Sequence, residues 1–160
     1  MPLPLYLSLA ILAILHLFSM RRPLNLLQNS IIYMVIVFLA TLFITIVRME
    51  LHLMEKSSGN LDYLSFLLYR NLLLPAVVVI FINYYLLKES GKNIALLLPA
   101  FLFILVGMDW FNDYFGIIKF IRWNLFYSGI INAIYLLIAL GVLRMLLNIN
   151  VQESNKDENL

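Results

Sequence analysis

The sequence contains no cysteine, so it offers no disulfide framework, no thiolate metal site and no thiol nucleophile. Glycine is scarce, six in 160 residues, and none sits in a phosphate-cradling loop or a selectivity filter. Charge is scarce too: Asp, Glu, Lys and Arg make up 12% of the chain, where a soluble domain carries about a quarter. The net charge of +2 is scattered, with no basic block to follow a phosphate backbone, which excludes nucleic acid as a partner. His-Glu-x-x-His, Gly-x-Ser-x-Gly, an arginine ladder and a central row of acids are all missing. No catalytic residue, metal or cofactor is therefore expected, and the enzyme reading has nothing to rest on.

What the chain does have is apolar mass. Hydrophobic residues make up 63% of it and its mean hydropathy is +0.93. A soluble fold this small cannot hide so much apolar surface, so the solvent is a bilayer. A spanning helix needs about 20 mostly apolar residues, each rising about 1.5 Å through hydrocarbon about 30 Å thick. Five stretches qualify, at about 3–20, 30–47, 64–87, 94–110 and 125–147. None alternates with period 2, which excludes barrel strands. The expected fold is an all-α, polytopic integral membrane bundle of about five transmembrane helices. It forms one domain over 1–147, with a disordered polar tail at 148–160. The fourth stretch is the shortest, and a re-entrant segment is its alternative. The first lacks a basic leading region and a small-residue cleavage site, so it reads as an uncleaved helix.

Placing the N-terminus outside leaves Arg21, Arg22, Lys88, Lys92, Arg144 and Lys156 inside, and Arg48, Lys56, Arg70, Lys119 and Arg122 outside. The Arg21–Arg22 pair directly after the first helix decides the direction, giving an outer N-terminus and a cytoplasmic C-terminus. The expected partners are the lipid bilayer and a second copy or another membrane protein.

Each polar group in a span needs a reason, because a charge there costs at least about 2.5 kcal/mol on insertion scales. Arg70 lies about six residues into the third stretch, roughly 9 Å along the helix, next to Asn71. One reading makes it an anion anchor or half of a gating pair; the other lets its long side chain snorkel to the interface. Glu50, Asp62 and Asp109 fall at the same outer level, and an Arg70–Asp109 pair would fix the register of two helices. If the second helix continues past the bilayer, Arg48, His52 and Glu55 share one face. His52 and Glu55 supply half a metal site at most, since His16, the other histidine, belongs near the opposite face. Asp109 and Asp113 stand one turn apart, as an acid–base dyad or as an ordinary helix end. Trp110, Lys119, Arg122 and Trp123 crowd the following loop as candidate interfacial and lipid contacts. Asn83, Ser128 and Asn132 lie deeper, Gly129 and Ala133 form a small-xxx-small pair, and Pro75 and Pro99 would kink their helices and free nearby carbonyls.

The stretch Gly116-Ile-Ile-Lys-Phe-Ile-Arg-Trp-Asn-Leu-Phe-Tyr-Ser128 carries Gly116, Ile118, Trp123, Asn124 and Ser128 in a distinctive spacing, with Phe120 where tyrosine is frequent. It resembles a Gly-x-Ile-x-Tyr … Trp-Asn-x-x-x-Ser pattern in small, uncharacterised polytopic membrane proteins of spore-forming Gram-positive bacteria. The resemblance covers about a tenth of the chain and implies a location in the bacterial cytoplasmic membrane. It brings no activity with it. Two functions are then in view. One is a non-catalytic membrane protein acting through a protein or lipid partner. The other is a small transporter or channel subunit with a polar path near Arg70, Asn71, Asn83 and Asn132.

Overall fold

The computed structural model describes residues 2–21, 23–47, 51–56, 59–87 and 91–157; residues 55–56, 91–95 and 150–157 are described by backbone alone. The fold is an all-α bundle of five helical rods: α1 (Leu3–Ser19), α2 (Leu26–Thr45), α3 (Asn60–Leu87), α4 (Gly91–Tyr114) and α5 (Leu125–Asp157). Segments of α2, α3, α4 and α5 are long and apolar enough to cross a membrane, and the protein is membrane-embedded. The shortest rod is α1, at 17 residues, and not the expected fourth stretch. Its last turn gives way to extended backbone at Met20, three residues before Pro23. In contrast, α4 runs unbroken through Pro99.

The helices arrange around α3. Every residue from 74 to 83 is buried, and 72% of the α3 span lies inside the protein against 17–28% for α2, α4 and α5. Only a helix that is apolar all round can occupy such a position, and Leu74-Pro-Ala-Val-Val-Val-Ile-Phe-Ile82 supplies that. The other four helices all pack on it. Ile32, Ile36, Val78, Leu136 and Ala139, all fully buried, belong to one core cluster.

Within α3 the chain changes pitch, forming a π turn over Tyr69–Leu73 in which the Leu74 N–H reaches back to the Tyr69 carbonyl. Pro75 explains it. Proline has no N–H and crowds the carbonyl four residues earlier, here that of Asn71. Widening the turn relieves the crowding, and the Tyr33 hydroxyl on α2 donates to the orphaned Asn71 carbonyl at 2.5 Å.

Two loops depart from expectation. The expected helical extension is absent at 51–56: the backbone bends at Leu51 and takes a left-handed conformation at His52 (φ 51°). It then forms strand β1 (Met54–Lys56), antiparallel to β2 (Ile118–Phe120), with Met54 opposite Phe120. His52 and Glu55 thus share no helical face, and Arg48 lies outside the described residues. The ribbon is held further by the Ile121 and Arg122 N–H groups, which both donate to the Leu53 carbonyl. It caps one end of the bundle, the ribbon end. At the C-terminus, the tail expected to be disordered from 148 continues α5 to Asp157. Once a helix is nucleated, each added residue costs only propagation, so 33 residues extend about 50 Å, well beyond a hydrocarbon core.

Candidate functional site

Beneath the ribbon, where α2, α3, α4 and α5 meet, lies a cavity with about 40 Å³ open to the centres of water-sized groups. Each such group needs about 10–15 Å³ on that measure, so the space takes a few of them. Asp109, Arg70, Asn112, Asn132, Ser128, Tyr69 and Tyr135 line it, together with Phe43, Phe66 and Trp123.

The motif between α4 and α5 builds one wall. α4 ends in a glycine cap: Gly116 takes φ +66°, its N–H bonds to the Asp113 carbonyl, and Ile117 N–H reaches the Asn112 carbonyl. The Asp113 carboxylate accepts the Phe120 backbone N–H at 3.2 Å and so ties β2 to the helix end. Asn124 caps α5 by accepting the Tyr127 N–H at 3.0 Å, and the Trp123 indole N–H donates to the Ser128 hydroxyl at 2.9 Å. These contacts give Gly116, Trp123, Asn124 and Ser128 a shared local purpose: turning the chain and aiming Ser128 inward.

Asp109 is the centre of the site. Its carboxylate accepts the Tyr69 hydroxyl at 2.5 Å and the Asn132 amide at 2.7 Å. Ser128, whose oxygen accepts from Trp123, lines the same cavity. The network therefore joins α3, α4 and α5. On the α1 side, the Tyr6 hydroxyl donates to Asn112 Oδ1 at 2.9 Å, and Asn112, only 1% exposed, keeps its Nδ2 without a partner.

Arg70 does not pair with Asp109, although both line the cavity. Its Nε donates to Asn71 Oδ1 at 3.0 Å, and its guanidinium lies over the Phe66 ring at 5.3 Å. Helical side chains lean toward the N-terminal turn, so Arg70 runs back along α3 while Tyr69 takes the Asp109 contact. Of the other two acids expected at that level, Glu50 lies outside the described residues and Asp62 stands in the first turn of α3. Asp109 and Asp113 serve different partners and form no dyad.

The other predicted residues separate. Lys119, Arg122 and Trp110 are exposed, with Trp110 packed against Phe111 and Tyr114. Trp123 turns inward to the cavity instead of standing with them at the interface. Asn83 sits at the opposite end, donating to Asn29 Oδ1 at 2.7 Å and to the Val79 carbonyl at 2.8 Å, with its own Oδ1 unpartnered. An open apolar groove of about 350 Å³ runs beside it, lined by Leu17, Phe18, Leu26, Tyr33 and Met34. His16 belongs to this end, its Nε2 3.0 Å from the Tyr84 hydroxyl. Among the described residues no three His, Cys, Asp or Glu side chains gather as a metal site.

Sequence reasoning missed Tyr69, Asn112, Tyr6 and Tyr135. A signal existed for Tyr69 alone: it adjoins Arg70 on the same outer turn, and a tyrosine at that depth wants a partner for its hydroxyl. Compared with known proteins, the chain matches no family model, no curated protein and no solved structure.

Proposed function

We propose that this chain is a non-catalytic integral membrane protein that binds a lipid or protein partner at its ribbon end. The observation that carries this reading is the separation of its polar groups. Tyr69 and Asn83 are fourteen residues apart on α3, about 21 Å, and every residue from 74 to 83 is buried. A path for water or solute would need polar groups across that distance; after Arg70 and Asn71 the intervening side chains, 72–82, are only Leu, Pro, Ala, Val, Ile and Phe. The non-catalytic part rests on how the acids are used. Asp109 accepts from Tyr69 and Asn132, and Asp113 holds a backbone N–H. The proposed setting is the bacterial cytoplasmic membrane, ribbon end and N-terminus outside, supported by the Arg21–Arg22 pair and by the resemblance around Gly116–Ser128.

The lack of cysteine makes the test direct, since an introduced thiol is the only one. Single cysteines at Asn132, Arg70 and Val78 are labelled with a membrane-impermeant thiol reagent in intact cells and in inverted vesicles. The expected result is reaction at 132 and 70 from outside alone, and none at 78 from either side. Reaction at 78 would carry water across the core and favour the small transporter or channel subunit. Reaction at 132 from the inner side alone would invert the orientation.

A further inference from the structure

We propose that the ribbon-end cavity binds a zwitterionic headgroup, an ammonium beside an oxyanion, with the ammonium at Asp109 and the oxyanion at Arg70. The proposal rests on the partner-binding reading above and names the chemistry of its ligand.

Four observations converge on it. First, one anionic and one cationic side chain line the same cavity without pairing with each other. In a low-dielectric setting an unmatched charge is costly. A lone cation would bring like charge toward Arg70, and a lone anion toward Asp109; a zwitterion meets both with opposite sign. Second, a carboxylate has about four acceptor positions, and the Tyr69 hydroxyl and the Asn132 amide account for two. Room is left for an ammonium N–H. Third, Phe43, Trp123 and Tyr135 line the cavity together with Asp109, the Phe43 ring 5.6 Å from Trp123 and 6.4 Å from Tyr135. Aromatic faces around a carboxylate are a recognition device for ammonium groups. Fourth, the buried Asn112 Nδ2 is a donor without an acceptor on the same cavity, because Tyr6 holds its Oδ1. That donor calls for an oxygen, as does the outer part of the Arg70 guanidinium.

Size sets the pose. About 40 Å³ admits the ammonium and a little more, so the oxyanion stays toward Arg70, which lines the cavity and is half-buried. Two sources carry this chemistry: a membrane lipid such as phosphatidylethanolamine, and a free solute such as phosphoethanolamine.

The full-length chain, purified in detergent, is equilibrated with equal amounts of phosphatidylethanolamine and phosphatidylglycerol, and the retained lipid is counted by native mass spectrometry. Soluble O-phosphoethanolamine is titrated in parallel against Trp123 fluorescence in a Trp110→Phe background. The expected result is at least a tenfold preference for phosphatidylethanolamine, falling to within threefold in Asp109→Asn and in Arg70→Gln. Phe43→Leu, which leaves the Asp109 network untouched, is expected to lower the preference about threefold. Saturable binding of phosphoethanolamine without lipid preference keeps the site and assigns it a soluble ligand. Equal retention of the two lipids, together with no fluorescence response, overturns the proposal and leaves the cavity to water. Labelling at position 132 is read separately, so an accessible cavity without zwitterion selectivity overturns this inference while the partner-binding reading stands.

Discussion

The two ends of the bundle handle buried asparagine in opposite ways. At the ribbon end Asn132 donates to a carboxylate that also holds Tyr69, and the network crosses three helices. At the other end Asn83 meets Asn29 and a carbonyl of its own helix, beside an open apolar groove. The residue type is the same; what differs is whether a charged acceptor binds it to its neighbours. Hydrogen bonds to charged groups contribute about 1.5–3 kcal/mol, whereas polar contacts between membrane helices average about 0.6 kcal/mol. The ribbon end should therefore be the rigid end, and Asp109 the residue on which that rigidity depends.

Asp109→Leu tests this most severely. It leaves the Tyr69 hydroxyl and the Asn132 amide, both nearly fully buried, without their acceptor. The expected loss is about 3 kcal/mol, since each orphaned buried donor costs about 1–3 kcal/mol. Unfolding in mixed detergent, followed by far-UV circular dichroism, measures it. Asp109→Asn keeps one acceptor oxygen and should recover about half of that loss. If Leu and Asn at 109 behave alike, the network is not what holds this end together.

The central helix supplies a sharper, smaller test. Tyr33 donates to the carbonyl that Pro75 orphans, so the two residues should be coupled. Tyr33→Phe alone is expected to cost about 1 kcal/mol. Pro75→Ala restores an N–H able to bond the Asn71 carbonyl, and in that background Tyr33→Phe should cost less than half as much. A double-mutant cycle isolates the pairwise effect. Additive losses would mean that the hydroxyl is not standing in for the missing helical bond.

The bundle itself was legible in the sequence because hydropathy acts over whole helices: all five expected stretches correspond to rods, with ends displaced by at most four residues except at the C-terminus, where α5 runs ten residues past 147. Arg70, Asn132 and Asp109 were legible as exceptions inside apolar runs. Their pairing was not. Depth alone set Asp109 level with Arg70, but the π turn after Leu68 shifts which side chains face α4, and it gives that contact to Tyr69. The turn has a local cause in Pro75, yet the donor that stabilises it lies 38 residues away on α2. The β1–β2 ribbon was hidden for a related reason. Three-residue strands carry no periodic signal, and Met54 finds Phe120 only after four helices have been placed. The motif around Gly116–Ser128 was visible as a pattern, and its meaning lies in two helix caps and one indole hydrogen bond.

The smallest expected effect lies at the opposite end, and its value is in its sign. Asn83→Leu removes the bonds to Asn29 and to the Val79 carbonyl. The carbonyl lies within α3 and keeps its helical bond, while Asn29 also bonds through its own amide to the Leu24 carbonyl. Against those losses, the substitution abolishes a buried acceptor, Oδ1, that has no partner, and it adds apolar surface at a 1% exposed position. The two contributions are similar in size, so the net change should fall within about 0.5 kcal/mol of zero, measured by the same unfolding assay. A loss comparable to that of Asp109→Leu would show that Oδ1 meets a donor in the membrane, and the open groove beside Asn83 would be where that donor arrives. The contrast between the two ends would then be one of ligands and not of rigidity.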